Sequence, residues 1–266
     1  YGLVGSEMCI RDRLTIMALI TIGGLGFFVW EDILRCGRDL RRLSLYSKMV
    51  LSFTAALILG GGLFFLLAEW DNPATLGDMP GWKRVLNAAF QAVTLRTAGF
   101  DTIGQGNLRD SSLAMSCILM LIGGSSGSTA GGLKTVTVGV LFLTLRAGLA
   151  GREEVTLRGR SISHRRVMNA LTLTLIVAVI FLAGSMIISL VDDVPFLSAA
   201  FESASAMATV GVTVGITPTL SLFSHVLLIC MMFLGRVGIM SFSIAFLARS
   251  KYPAKIKYPT MDIMIG

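Results

Sequence analysis

The sequence predicts an all-α, polytopic membrane protein, and three observations carry that prediction. Of 266 residues, 54% are apolar and only 15% charged, with a mean hydropathy of +0.76. Soluble domains hold about 25% charged residues. Charge alternates along the chain instead of gathering on one face. One order, a long apolar stretch, a short one, a Thr-x-Gly loop and another long stretch, occurs twice.

The net charge of +7 is concentrated in three segments. Arg35, Arg38, Arg41, Arg42 and Lys48 form the first. Arg146, Arg152, Arg158, Arg160, Arg165 and Arg166 form the second, and Arg249, Lys251, Lys255 and Lys257 the third. The intervening polar segments are acidic or nearly neutral: Glu69, Asp71 and Asp78 in one, Asp192 and Asp193 in another. The positive-inside rule places the three basic segments, and with them the carboxyl terminus, in the cytoplasm of a multi-pass protein of the cell membrane. A nucleic-acid partner would need the charge on one polar face and is not expected.

Residues 1–13 are short, polar and unlike the rest of the chain, and no small-residue cleavage site ends them. They read as a non-native or artefactual leader on an amino-terminally truncated chain. Residues 14–34 form a first crossing, running inward to the linker 35–45. Tyr46–Ala68 crosses outward and opens a unit spanning 46–149. Within it, Trp82–Val93 is too short to cross and fits a re-entrant helix, followed by the loop 94–100. The stretch from Ser111 to Arg146 keeps a helix-like apolar pattern for 36 residues. A continuous helix of that length would run about 54 Å, against a hydrocarbon core of about 30 Å.

That span must therefore break, and a polar cassette breaks it: Gly123, Gly124, Ser125, Ser126, Gly127, Ser128, Thr129, Ala130, Gly131, Gly132, Leu133, Lys134, Thr135. Non-helical backbone at that depth is tolerated only where protein buries it or water runs beside it. After the linker 150–166, a second unit spans 167–248. Val167–Val191 crosses outward, 196–207 is short, the loop 208–213 comes next and Leu220–Ala248 crosses inward, leaving the tail 249–266. Gly99 and Gly211, the third residues of the two Thr-x-Gly loops, lie 112 residues apart. The run Gly23-Gly24-Leu25-Gly26 suits close helix packing.

A re-entrant helix directs the negative end of its dipole at the membrane centre. A loop climbing back out can expose carbonyls that replace the hydration shell of an alkali cation, and glycine in third place permits the required backbone angles. Two such loops alone do not close a ring.

At these residues the chain resembles the Trk/Ktr/HKT superfamily of potassium transporters, most of all its Ktr-type membrane subunit. Leu95-Arg96-Thr97-Ala98-Gly99-Phe100 resembles the third filter, with leucine where threonine is commoner. Gly124–Thr135 resembles the intramembrane loop, Phe233-Leu234-Gly235-Arg236-Val237-Gly238 the final helix, and Lys257-Tyr258-Pro259 with Ile263-Met264-Ile265-Gly266 the carboxyl end.

The resemblance, which runs from Leu14 onward, implies repeated M1–pore-helix–filter–M2 units, potassium-channel-like: the last helix of repeat 2, then repeats 3 and 4. It implies that Thr97, Ala98, Gly99, Thr209, Val210 and Gly211 bind the ion, and that 123–135, with Lys134 and Arg236, forms a gate. It implies potassium as the transported ion, sodium as a candidate coupling ion and no cofactor bound by this chain. A homodimer on a cytosolic, nucleotide-binding regulatory ring is the implied assembly.

Three rival readings stand beside these. The cassette resembles a phosphate-binding loop, but Leu133 separates Gly132 from Lys134, where adjacent Gly-Lys is needed. Gly127 and Gly131 form a Gly-x-x-x-Gly packing motif, against which a lysine at depth costs at least about 2.5 kcal/mol. A membrane enzyme or scaffold is the third, and paired carboxylates, His/Cys clusters and Ser–His arrangements are missing from the sequence. Arg96 and Glu202 are either a buried ion pair bracing the loops or separately solvated in an outer vestibule. A sodium-conducting or sodium-coupled member of the superfamily is the alternative within transport.

Overall fold

The computed structural model describes residues 9–37, 39–152, 154–157 and 159–237. Their order is α1 (Ile10–Leu25), α2 (Phe27–Cys36), α3 (Leu45–Ala68), α4 (Gly81–Thr94), α5 (Asp110–Leu121), α6 (Thr135–Leu149), β1 (Thr156–Leu157), β2 (Arg160–Ser161), α7 (His164–Asp192), α8 (Phe196–Met207) and α9 (Leu222–Val237). Residues 1–8, Gly238, the 238–248 part of the last crossing and the 249–266 tail lie outside the described residues.

Among the described residues two helices are long and apolar enough to cross a membrane by themselves, α3 with 24 residues and α7 with 29. At 1.5 Å per residue they run about 36 and 44 Å. Ser44 starts α3, its hydroxyl accepting the Ser47 amide. Asp193 stops α7 in the left-handed conformation at φ 51°, two residues before Pro195. The 111–146 span is broken, as its length demands: α5 ends at Leu121 and α6 begins at Thr135.

The first crossing differs from expectation. Residues 14–34 do not form one straight helix, because α1 and α2 meet at a 94° bend on Gly26. Gly26 takes φ 78° and ψ 157°, a region essentially closed to residues with a Cβ. The bend is filled by the cassette: the Ser125 amide donates to the Gly24 carbonyl at 3.0 Å and the Phe27 amide to the Gly127 carbonyl at 3.2 Å. The Ser125 hydroxyl bonds the Leu25 carbonyl as well. Among the described residues nothing lies within 4 Å of a Cβ built on Gly23 or Gly24, so only Gly26 of that run serves a close approach. Helix α1 begins at Ile10, inside the stretch assigned to the leader, and Arg13 is buried with Nη1 donating to Asn87 Oδ1 at 2.6 Å.

Two apolar clusters share α8. Phe65, Leu119 and Met120 gather with Phe201 and Ala204, while Val177, Ile188, Leu228 and Met231 gather with Ala199 and Met207. Glycine lets α3 approach: a Cβ on Gly61 would meet Leu119 Cδ1 at 2.9 Å and Ala92 Cβ at 3.2 Å.

An acid at the end of each long helix fastens the start of a later one. Glu69 accepts the Arg109 amide at 3.0 Å and the Ser112 hydroxyl, at the first turn of α5. Asp192 accepts the Ser221 amide at 2.8 Å and the Ser224 hydroxyl, at the first turn of α9. Both use an amide and a hydroxyl three residues apart, satisfying orphan donors of a helix start. Burial by itself would raise the Glu69 carboxyl. Hydrogen bonds from Ser112, Asn72, the Arg109 amide and Thr75 outweigh it and hold the group below its ordinary value of 4.5.

Both the Gly26 bend and the Glu69 clasp can be probed by substitution. Gly26→Ala forces a left-handed alanine against Ser125 and Ser126, and should cost about 1–3 kcal/mol. Gly23→Ala should leave the melting temperature in detergent unchanged or raised; equal losses in both variants would refute the assignment. The contribution of Glu69 is complete above pH 4.5 and is lost as pH falls through the depressed value. Acid titration of unfolding should therefore be shallower in Glu69→Gln than in the parent chain.

Candidate functional site

Helices α4 and α8 end at Thr94 and Met207, and each hands over directly to a Thr-x-Gly loop. Thr97 sits at φ 68° and Thr209 at φ 55°, both left-handed, which for a β-branched residue is a genuine outlier. Gly99 and Gly211 follow at φ 80° and 91°. Backbone strain of this kind collects where the surroundings over-determine the conformation. Here it recurs at matching places 112 residues apart.

Five loop amides turn back toward the helix ends. The Ala98 and Gly99 amides donate to the Thr94 carbonyl at 3.1 and 3.4 Å. The Thr209 and Val210 amides donate to the Ala206 and Ser205 carbonyls at 3.1 and 2.9 Å. The Gly211 amide donates to Ser205 Oγ at 3.2 Å. Hydroxyls then tie the outer end of each loop: Thr94 Oγ1 donates to the Phe100 carbonyl and Ser205 Oγ to the Val212 carbonyl, each at 2.6 Å. Between these ties, the carbonyls of Thr97, Ala98, Gly99, Thr209, Val210 and Gly211 accept no hydrogen bond among the described residues. The two loops also touch, because a Cβ on Gly99 would overlap the Val210 carbonyl.

Polar side chains brace both loops from the short helices. Gln91 on α4 exchanges amide hydrogen bonds with Gln105 at 2.6 and 3.1 Å. Glu202 on α8 accepts Thr213 Oγ1 at 2.5 Å, Thr217 Oγ1 at 2.8 Å and the Val214 amide at 3.0 Å. Arg96 and Glu202 meet neither expectation for them. They are 6% and 4% exposed, so neither is solvated, and they do not pair. Arg96 instead donates from Nη2 to the Gly123 carbonyl at 3.3 Å and to Thr135 Oγ1 at 3.5 Å. Its burial is matched to a backbone carbonyl across the fold, and Glu202 is satisfied by hydroxyls on its own loop.

The cassette lies against the second loop. A Cβ on Gly131 would meet Thr209 Oγ1 at 2.5 Å and the Ala208 carbonyl at 2.7 Å, so only glycine permits this approach. Leu121 and Leu133 close its neck: the Leu133 amide donates to the Leu121 carbonyl and the Gly123 amide to the Leu133 carbonyl, both at 2.9 Å. The Thr135 hydroxyl donates to the Gly123 carbonyl at 3.2 Å, and its amide to the Gly124 carbonyl at 3.0 Å. Tyr46 Oη reaches the Ser126 carbonyl at 3.3 Å, and Ser128 Oγ the Ser125 carbonyl at 2.6 Å.

Two cations act on the same turn. Lys134 Nζ donates to the Ala130 carbonyl at 2.6 Å, and Arg236 on α9 donates to the Thr129 carbonyl. A cavity of about 650 Å³ lies between the second loop and α9, with Glu202, Ser205, Thr209, Gly211 and Arg236 on its wall. No group of His, Cys, Asp and Glu able to hold a metal ion occurs among the described residues.

Comparison with known proteins matches this arrangement to a family. The TrkH family model, described as a cation transport protein, matches residues 13–253. The chain belongs to that family. It is 40% identical over 258 residues to the potassium/sodium uptake protein NtpJ of Enterococcus hirae, covering 95% of this chain and 57% of the relative. It is 34% identical over 254 residues to the Ktr system potassium uptake protein B of Bacillus subtilis, covering 96% and 56%. The fold matches the crystal structure of the potassium transporter TrkH from Vibrio parahaemolyticus with a TM-score of 0.74 at 20% identity, covering 92% of this chain and 54% of that one. The chain thus spans little more than half the length of these relatives. It is a membrane protein of a transporter family, not an enzyme.

Sequence reasoning singled out the glycines of the two loops and the cassette, but not the hydroxyls and amides around them. Thr94, Ser205, Gln91 and Gln105 read as ordinary helix and turn residues. For the acid clasps one faint signal was available: Ser112 and Ser224 lie 112 residues apart, the spacing of the two Thr-x-Gly loops. Glu202→Ala should release the 213–217 turn, costing about 1.5–3 kcal/mol locally as charge-assisted hydrogen bonds are lost. Hydrogen exchange at the Val214 amide should accelerate at least tenfold. Unchanged protection there would show that the carboxylate does not hold the turn.

Proposed function

We propose that this chain is part of a potassium-uptake protein whose two Thr-x-Gly loops form half of a carbonyl-lined selectivity filter. The loop hydrogen bonds carry the reading. In a trans peptide the N–H and C=O point in opposite directions. Amides of Ala98, Gly99, Val210 and Gly211 turned back to the helix ends therefore leave the carbonyls of Thr97, Ala98, Thr209 and Val210 directed away from them. Free carbonyls at the ends of two helix dipoles suit a desolvated alkali cation. The names of the Enterococcus and Bacillus relatives, which specify potassium or potassium/sodium uptake, support the same cargo.

On this reading α3–α6 and α7–α9 are two M1–pore-helix–filter–M2 units, and the other half of the ring comes from sequence that the relatives have and this chain does not span. The cassette is the gate beneath the filter, held by Lys134 and Arg236. The basic linkers face the cytoplasm of the cell membrane, where a homodimer would sit on a nucleotide-binding regulatory ring. Sodium coupling is consistent with the potassium/sodium name of the Enterococcus relative. The membrane potential, worth about 2.3 kcal/mol per charge per 100 mV, drives a cation inward through such a path.

Expressed with its regulatory partner in cells lacking potassium uptake, the full-length protein should restore rubidium accumulation. Substituting Gly99 or Gly211 by serine should reduce potassium-over-sodium selectivity. Absence of uptake by the partner-supplied protein would overturn the assignment. Arg236→Ala, which frees the Thr129 carbonyl, should raise flux severalfold when the system is otherwise closed; flux identical to the parent would remove Arg236 from the gate.

A further inference from the structure

On the side opposite the filter loops, the last turn of α6 and the β1–β2 hairpin enclose a second cavity of about 550 Å³, lined by Leu143, Arg146, Ala147, Ala150, Arg152 and Gly159. Leu143 and Leu157 also line an adjoining cavity of about 160 Å³, whose other walls include Lys48, Met49 and Phe53 of α3. A polar chamber with Arg146 and Arg152 on its lining thus shares two wall residues with a mostly apolar groove between α3 and α6. We propose that this composite site binds one anionic phospholipid, its phosphodiester between Arg146 and Arg152 and an acyl chain along Leu143, Phe53 and Met49.

The chamber is built and held in place. Val155 and Ile162, flanking the hairpin strands, pack against Val140, Val167 and Ala170, and the Ile162 amide donates to the Val155 carbonyl at 2.8 Å. Helix α6 presents Phe142, Leu145 and Leu149 to the outside, the last 82% exposed, as befits a helix end at the boundary between acyl chains and headgroups.

Charge decides between anionic and zwitterionic lipid. Among the described residues Arg146 and Arg152 form no ion pair; of the acids beside them, Glu154 pairs with neither, and Glu153 lies outside the described residues. The end of α6 carries the negative pole of its dipole, which opposes an anion. Its terminal carbonyls are already covered, however: the Ala150, Gly151 and Arg152 amides return to Arg146, Ala147 and Gly148. Two guanidiniums then exceed what remains of the dipole, and guanidinium is the side chain best suited to bidentate phosphate contacts. The chamber is part of the basic 146–166 segment, on the face where anionic lipids meet cytoplasmic arginines. A free phosphate would use the guanidiniums but leave the apolar groove empty, whereas a phospholipid occupies both.

Native mass spectrometry of the delipidated full chain in detergent tests this, with phosphatidylglycerol, phosphatidylcholine and inorganic phosphate as probes. Phosphatidylglycerol should bind with one tight site and phosphatidylcholine much more weakly. Arg146→Gln/Arg152→Gln should weaken that site by about tenfold or more, and Leu143→Ser should weaken lipid without affecting phosphate. Arg160→Gln/Arg165→Gln, on the same basic segment but outside the chamber, should leave it intact. Equal loss in both arginine pairs would mean diffuse attraction and overturn the site. Displacement of the lipid by millimolar phosphate would reduce the chamber to an anion pocket and overturn the lipid assignment. Loss of the cytosolic partner in Arg146→Gln/Arg152→Gln with lipid binding unchanged would assign the surface to protein instead.

Discussion

An amide that leaves a helix inside a membrane must find an acceptor, because no water is there to take its place. Thr94–Gly99 and Ser205–Gly211 meet that demand by reversing the chain through a left-handed threonine, so that successive amides return to the helix just ended. The strain of Thr97 and Thr209, of order 1–3 kcal/mol each, is the cost of that reversal. Planarity of the peptide does the rest: satisfying one end of each unit turns its carbonyl away from the helix end. A loop of ordinary extended residues would have left both ends of each peptide to find partners. The short helices are needed for the same reason, since their last carbonyls are the acceptors.

The loops are not independent of the cassette below them. Arg96 immediately precedes Thr97 and bonds the first carbonyl of the cassette, while Gly131 lies against Ala208 and Thr209. Ser125 joins the cassette in turn to the Gly26 bend, and Tyr46 of α3 reaches Ser126. The cassette therefore touches both loops and the α1–α2 corner within a dozen residues. A shift at Gly131 cannot be taken up by a side chain there, whereas Arg96, Ser125 and Tyr46 hold the cassette through side chains. Buried, unpaired cationic groups are costly, and Arg96 is tolerated because carbonyl and hydroxyl oxygens meet part of its guanidinium while its Nε stays unpartnered.

Helix existence was legible in the sequence because it rests on hydropathy and length, which are local. The 36-residue span from Ser111 to Arg146 had to break, and it breaks within the glycine-rich cassette. Direction was not legible. Gly23, Gly24 and Gly26 look alike as letters, yet the 94° turn falls on Gly26, the one of the three with a positive φ and no room for a Cβ against the cassette, roughly a hundred residues away. Arg96 and Glu202 invited pairing by charge, but the acid and the cation each found nearer polar partners: hydroxyls for the acid, the Gly123 carbonyl for the arginine. Charge complementarity predicts pairs only when no backbone acceptor lies closer. Family membership came through because motifs report spacing, which survives where contacts cannot be read.

The inner turn of the cassette is held by few bonds, and their sizes can be compared. Its inner turn is held by one lysine and one arginine on the adjacent Ala130 and Thr129 carbonyls, with no acid facing either cation in those bonds. Hydrogen bonds to charged groups contribute about 1.5–3 kcal/mol each. Moving a two-state element from 1:99 to 99:1 takes about 5.5 kcal/mol. The two bonds together approach that size. Only Arg236 reaches in from another helix; Lys134 belongs to the cassette and moves with it. Loss of the Arg236 bond alone would thus remove about half of what these two cations contribute to the turn, while the Lys134 bond to Ala130, internal to the cassette, would remain.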